Sequence, residues 1–183
     1  SGVDTHLGPE MKSTGEVLGI GRDMREALYK GLVAAGYKMK RKGGVLFTVR
    51  DSDKSEIAAI ARKFRVMGFR LYATSGTAME IRAGGMPVTV LNKISENPSD
   101  NPMTALDSGE ISYIISTSAK GRNPAFDDVK IRRRAVSLGI PCLTSIDTAN
   151  ALADSLQSGY HEENISLIDI NDDIKSIKAD RGV

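Results

Sequence analysis

Hydrophobic positions along the chain follow two alternating periods. Short, nearly unbroken apolar runs at residues 45–49, 69–73, 88–91, 111–116 and 141–143 have the length and β-branched content of buried strands. Between them, apolar residues recur at helical spacing. Leu28, Leu32 and Ala35 mark one face, and so do Ile57, Ile60, Ala61 and Phe64. Ile131, Ala135 and Leu138 mark a third, and Leu152 with Leu156 a fourth. Gly36, Gly68, Gly139 and Gly159 follow these stripes, where a helix stop is expected. Asp23 with Glu26, and Asp53 with Glu56, have the spacing of a capping box, and Asp147 is placed to cap the last helix. A shorter helix is expected through Met79, Ile81 and Ala83, closed by Gly84-Gly85, and another over residues 103–107. Pro87 suits the first position of the third strand. Residues 165–168 read as a last strand or an apolar tail, and residues 178–183 as loose chain.

Strands separated by helices predict an α/β fold: a doubly wound, mainly parallel five-stranded sheet. Residues 1–22 show no sustained period, with Gly8, Pro9, Gly15, Gly19 and Gly21 breaking any helix. They and the first helix read as an N-terminal helical and extended arm. The basic run Lys38-Met39-Lys40-Arg41-Lys42, followed by Gly43-Gly44, reads as a solvated hinge. It divides the chain into units 1–42 and 43–183.

Composition changes this picture little. The 183 residues are 40% hydrophobic and 26% charged, with a net charge of +2, so a sizeable core is affordable and no charge argument favours nucleic acid or a membrane surface. The lone cysteine, Cys142, sits in the apolar run Ile140-Pro141-Cys142-Leu143 and reads as core. No signal segment or membrane-length apolar run is seen, so a cytoplasmic location is expected. His6 and His161 fall outside the predicted sheet; no metal-ligand spacing and no forced carboxylate pair appears. The run Arg132-Arg133-Arg134 reads as a solvated helix face paired with Asp127 or Asp128.

Candidate chemistry gathers on one rim. Open α/β sheets bind ligands outside the carboxyl ends of their strands. The second strand ends in Thr74-Ser75-Gly76-Thr77 and passes straight into a helix. The first N–H groups of a helix lack internal partners and carry partial positive charge, so this turn is suited to a phosphate or carboxylate. Gly76 admits close approach, and Thr74, Ser75 and Thr77 add hydroxyls. The plainer alternative is that Thr74 or Ser75 caps the helix. The same rule brings Thr48, Asn92, Lys93, Ser116, Thr117, Ser118, and the stretch from Ser145 through Asp147 to Thr148 to that rim, with Lys54 reaching back over it. Two lysines and a set of hydroxyls around a helix start suggest a phosphorylated small molecule.

The run Leu7-Gly8-Pro9-Glu10-Met11-Lys12-Ser13-Thr14-Gly15-Glu16-Val17 resembles the last segment of the second ATP-grasp domain of the carbamoyl-phosphate synthetase large chain. Residues 45–170 resemble that enzyme's regulatory domain, which shares its fold with methylglyoxal synthase. The motifs are Thr48-Val49-Arg50, Lys54, Ala73-Thr74-Ser75-Gly76-Thr77-Ala78, Leu91-Asn92-Lys93 and Ile131-Arg132-Arg133. The resemblance implies that residues 1–42 are the tail of an ATP-grasp domain with a connecting helix, and 43–183 an allosteric domain. Two complete ATP-grasp units do not fit in this length, so it implies a piece of the large chain.

The resemblance also implies an effector of UMP or IMP type, with its phosphate at Lys54, Thr74, Ser75, Gly76, Thr77 and Lys93. Base or ribose contacts would fall at Thr48, Ser116, Thr117 and Ser118, and a second effector contact at Asp147 and Thr148. Three positions depart from the common pattern: Ser75 stands where His is frequent, Ser116-Thr117-Ser118 where Asn-Thr-Thr is usual, and Ile146 where Tyr is frequent. Implied for the parent are glutamine-dependent, ATP-driven carbamoyl phosphate synthesis for arginine and pyrimidine pathways, with ATP, magnesium and potassium ions. Implied partners are the rest of the large chain, the glutaminase small chain and a homo-oligomeric contact, with no nucleic acid and no membrane. For this chain alone the expectation is no catalysis, no cofactor and no metal.

A competing expectation is a methylglyoxal synthase, eliminating phosphate from dihydroxyacetone phosphate with Asp100 as the base. A second aspartate expected after the fourth strand is replaced by Ser116-Thr117-Ser118 and Lys120. A third is a bare assembly module, which leaves the anion turn without a purpose.

Overall fold

The computed structural model describes residues 23–94, 96, 99–117 and 127–159. The expected arm over residues 1–22, both histidines, Ser118, the loop carrying Lys120, and the apolar segment at 165–168 lie outside the described residues. Elements follow in the order α1 (Met24–Ala34), β1 (Gly44–Thr48), a 3-10 turn (Asp51–Asp53), α2 (Lys54–Val66), β2 (Arg70–Thr74) and α3 (Ser75–Ala83). Then come β3 (Thr89–Leu91), α4 (Pro102–Asp107), β4 (Ile111–Ser116), α5 (Asp127–Leu138), β5 (Cys142–Leu143) and α6 (Ile146–Gln157). The five strands form one sheet in the order β3-β2-β1-β4-β5, and every pairing is parallel.

Side chains alternate across a strand, so each strand feeds two cores. Val45 and Phe47 of β1, Leu71 and Ala73 of β2, and Tyr113 and Ile115 of β4 face the layer of α1, α2, α3 and α6. Leu46, Tyr72, Ile114 and Cys142 face the layer of α4 and α5. A fully parallel sheet is covered on both faces, and strands buried on both sides read as unbroken apolar runs. That is the pattern seen in the sequence. In the larger core, the Phe64 ring meets Phe69 at 5.5 Å and Phe47 at 6.1 Å between centroids, both edge-on. Such edge contacts add about 0.5–1.5 kcal/mol per pair beyond area burial.

The hinge reading of the basic run is overturned. Met39 is buried. Tyr113 Oη donates to the Lys40 carbonyl at 2.7 Å, Ser112 Oγ to the Lys42 carbonyl at 2.7 Å, and Arg41 Nη1 to the Leu156 carbonyl at 2.6 Å. Leu28, Tyr29 and Leu32 of α1 join the same core as the sheet. Lys38, Lys40 and Lys42 are exposed, but the Arg41 guanidinium packs inward and the backbone of the run is tied on both sides. Gly44 is fixed by close approach: a Cβ there would stand 2.5 Å from the Tyr72 ring and 3.0 Å from the Glu110 carbonyl.

Several local expectations are corrected. Asp23 caps α1, accepting the Glu26 N–H at 2.9 Å. Asp53 does not cap α2; its carboxylate takes Arg50 Nε at 2.8 Å, and a 3-10 turn supplies the entry. Ser145, not Asp147, caps α6 by accepting the Thr148 N–H at 3.1 Å. Ala35 and Leu138 were expected on apolar faces, yet both are exposed, because they fall at the carboxyl ends of α1 and α5. Arg132 pairs with Asp128 at 3.1 Å, and Arg134 pairs with Asp107 on α4. Cys142 is buried in the smaller core, as expected.

Candidate anion-binding site

Strand and helix geometry place the site at the carboxyl ends of β1, β2 and β3. Thr74 closes β2 and stands at the N-cap of α3 in extended conformation, yet its side chain makes no capping bond. Its hydroxyl instead donates across to Thr48 Oγ1 at 3.2 Å. The capping alternative therefore fails for Thr74, and the first N–H groups of α3 face the rim without a side-chain cap. Such a helix start favours an anion.

Lys54, the first residue of α2, brings its charge to this point. If Gly76 carried a Cβ, the Lys54 Nζ would lie 2.7 Å from it. The ammonium thus rests directly on the glycine that opens α3. On its solvent side it pairs with Asp51 Oδ1 at 2.6 Å. That contact, chiefly the hydrogen bond and then the charge of Lys54, holds the Asp51 carboxyl below the usual carboxylate range. The 3-10 turn that carries Asp51 is braced from below. Arg50 N–H donates to Thr117 Oγ1 at 3.3 Å, and Arg50 Nε to Asp53 at 2.8 Å. A hydrogen bond from the Thr117 hydroxyl, followed by the Arg50 contact, lowers the Asp53 pKa.

Lys54 and the start of α3 line one open cleft of about 420 Å³. Lys54, Thr74, Ser75, Gly76, Thr77 and Lys93, expected together at an anion site, all lie on its wall. Val49 and Leu91 supply apolar floor, and Asn92 and Glu96 complete the outer side. The outer wall is a turn: the Glu96 N–H donates to the Lys93 carbonyl at 3.0 Å, and Asn92 is tied to the Asp100 carbonyl. The Ile94 N–H donates to Asp127 at 3.0 Å, anchoring this turn to the start of α5.

Thr77 has a second duty. The residue is 1% exposed, and its hydroxyl accepts the Val49 N–H at 3.1 Å, latching the chain after β1 to α3. A hydroxyl that accepts still has its own proton to donate.

The remaining sequence candidates are not on the cleft wall. Thr48 touches the site through Thr74, and pairs in register with Ser116 on β4. Thr48 and Ser116 therefore sit side by side on adjacent strands, with the Ser116 Oγ buried and without a hydrogen-bond partner. Thr117 is buried, its hydroxyl spent on Arg50 and Asp53. Thr117 therefore meets the rim through the Arg50 turn. Asp147 and Thr148 begin α6; Thr148 is buried, with its hydroxyl held by Ser145 at 2.9 Å and 3.1 Å. Asp100, the aspartate weighed as a catalytic base, does not line the cleft either.

Sequence reasoning missed Val49, Leu91 and Glu96. The first two are the last apolar residues of strand runs, so the strand-end rule already contained them. Glu96 lies in a polar loop with no period to mark it.

A doubly wound parallel sheet with an open cleft at its strand ends defines an α/β domain whose candidate site lies where such sheets hold ligands. Residues 56–144 match the model of the MGS-like domain family, so this chain carries an MGS-like domain over that stretch. The match starts two residues after Lys54. The central strand β1 and the site lysine stand upstream of it, and α6 stands downstream.

Proposed function

We propose that this domain is an allosteric effector site of a carbamoyl-phosphate synthetase large chain. It binds a nucleoside monophosphate of UMP or IMP type. The observation that carries the reading is the Lys54 ammonium resting on Gly76 at the uncapped start of α3. A fixed cation, helix N–H groups and hydroxyls converge there on one point in an open cleft. The phosphate sits at that point, with Lys93 closing from the outer wall. Thr48 and Ser116 form the neighbouring hydroxyl row toward which a ribose or base extends. Effector occupancy then changes the rate of carbamoyl phosphate synthesis elsewhere in the parent enzyme, which requires ATP, magnesium and potassium ions and a glutaminase partner.

Hydrogen bonds to a charged group contribute roughly 1.5–3 kcal/mol each. Lys54→Ala therefore weakens UMP or IMP about tenfold to a hundredfold, since about 1.4 kcal/mol is tenfold. The loss shrinks as salt rises, because the cleft is open to solvent. Calorimetric titration with UMP, IMP and N-acetylglutamate tests this. N-acetylglutamate binds more weakly, its carboxylates offering fewer acceptors to the cleft. Wild-type binding of N-acetylglutamate with neither nucleotide at millimolar concentration would reject the effector class.

A second reading, phosphate elimination of the methylglyoxal synthase type, is favoured by one observation: Glu96 places a carboxylate on the cleft wall. Incubation with dihydroxyacetone phosphate separates the two. Methylglyoxal that scales with protein and vanishes in Glu96→Gln or Asp100→Asn supports the enzyme; binding without turnover supports the effector site.

A further inference from the structure

We propose that Asp51 is a tethered competitor for the anion cleft: its carboxylate occupies the Lys54 ammonium, and a phosphate binds by taking Lys54 from it. The proposal rests on the effector-site reading and adds a device that sets the concentration at which the site fills.

Three observations carry it. First, Asp51 Oδ1 lies 2.6 Å from Lys54 Nζ, the same ammonium that rests on Gly76. The carboxylate thus uses the cation that the cleft offers to a ligand. Second, exposure is lopsided: the Asp51 side chain is 95% exposed and the Lys54 side chain 24%. The carboxylate approaches from solvent and can swing back into it without disturbing packing. The lysine cannot leave so freely, because it is the more enclosed partner and its tip is seated against Gly76. Third, the Asp51 backbone is fixed. The Asp53 N–H donates to the Arg50 carbonyl at 3.0 Å, closing the turn. Arg50 is held by Asp53 at 2.8 Å and by Thr117 at 3.3 Å. A displaced Asp51 carboxylate therefore stays within one side-chain length of Lys54 and of the bound anion.

The consequences follow from charge. A bound phosphate must first break the Lys54–Asp51 pair, and then tolerates a fixed negative charge nearby. Both effects lower affinity. Exposed pairs of this kind are weak, so the competition tunes the site without closing it. Removing the Asp51 charge while keeping its shape therefore strengthens binding. An alternative role predicts the opposite sign: if Asp51 positions Lys54 for the ligand, its removal weakens binding.

The test titrates the 183-residue protein with inorganic phosphate and with UMP at constant pH and ionic strength, comparing wild type, Asp51→Asn and Asp107→Asn. Asp107 pairs with Arg134 on the α4–α5 side of the sheet, so its variant makes the same charge change away from the cleft. The expected result is about two- to fivefold tighter binding of both anions by Asp51→Asn, with Asp107→Asn equal to wild type. If wild type binds phosphate or UMP and Asp51→Asn binds equally or more weakly, the competitor role is overturned while the effector site stands. Equal tightening in Asp107→Asn also overturns it, since general charge then suffices. If neither wild type nor Asp51→Asn binds either anion at millimolar concentration, the effector-site reading itself falls, and the competitor with it.

Discussion

Gly76→Ala separates ligand binding from stability because it moves them in opposite directions. The new Cβ would stand 2.7 Å from Lys54 Nζ and 3.5 Å from its Cε, with nothing else within 4 Å. The helix is therefore undisturbed, and the flexible lysine tip yields. To reach an ordinary contact of 3.4 Å, the ammonium must retreat by about 0.7 Å. A hydrogen bond near its optimum of about 2.9 Å, stretched by that much, leaves the bonding range. The loss is bounded by the roughly 1.5–3 kcal/mol of a charge-assisted bond, and Lys54 recovers part of it by re-aiming. UMP and inorganic phosphate are therefore expected to bind about tenfold more weakly.

Stability moves the other way. Gly76 lies in the first turn of α3, in helical conformation, and alanine there costs the unfolded chain some of its freedom. A gain of about 0.4–1 kcal/mol is expected, or roughly 1–4 °C in Tm for a chain of this size. Calorimetry and thermal denaturation of the same preparation measure both quantities. Unchanged affinity would show that the seat of Lys54 on Gly76 is irrelevant to binding. A lowered Tm would show a packing role for Gly76 that the geometry does not contain.

Other outcomes follow from the same contacts. Thr77→Val keeps the volume but leaves the buried Val49 N–H without its acceptor; it should cost about 1–3 kcal/mol in denaturant unfolding, an amount that alanine scanning of Lys54 does not show. Ser116→Ala removes a buried, unpartnered hydroxyl, so stability should hold or rise, while the preference between UMP and IMP shifts more than total affinity. Asp53 has a lowered pKa in the folded state, so its contribution is present above the unfolded value of about 3.9 and is lost as pH falls through the folded value. Asp53→Asn should thus lower Tm at pH 7, and its difference from wild type should narrow as pH falls below the unfolded value; a gap that stays constant would contradict the Thr117 and Arg50 contacts.

How much of this was legible in the sequence differs by element. The strands carried their own signature, because burial on both faces forces unbroken apolar runs. The runs at 45–49, 69–73, 88–91, 111–116 and 141–143 match observed strands to within about one residue at either end. Glycine stops were equally plain: Gly36, Gly68, Gly139 and Gly159 all adopt positive φ at helix ends. The Thr74-to-Thr77 turn was readable because strand, small residues and helix are adjacent in the chain. Caps were less reliable. Asp53 and Asp147 had suitable spacing, but a capping oxygen is chosen by local backbone path, and Arg50 and Ser145 supplied better partners.

Sequence alone thus determined what depends on neighbours along the chain: the periods, the stops, the parallel sheet and the glycine-hydroxyl turn. Only the tertiary structure decided what depends on which elements meet. It set the Lys54 ammonium on Gly76, although 22 positions separate them, and gave Lys54 the competing partner Asp51. It turned Thr117 inward to brace the Arg50 turn, tied down a basic run that reads as a hinge, and left Asp100 off the cleft wall. A side chain's chemical type is written in the chain, but its partner is fixed by strand register and helix packing, which bring distant residues together.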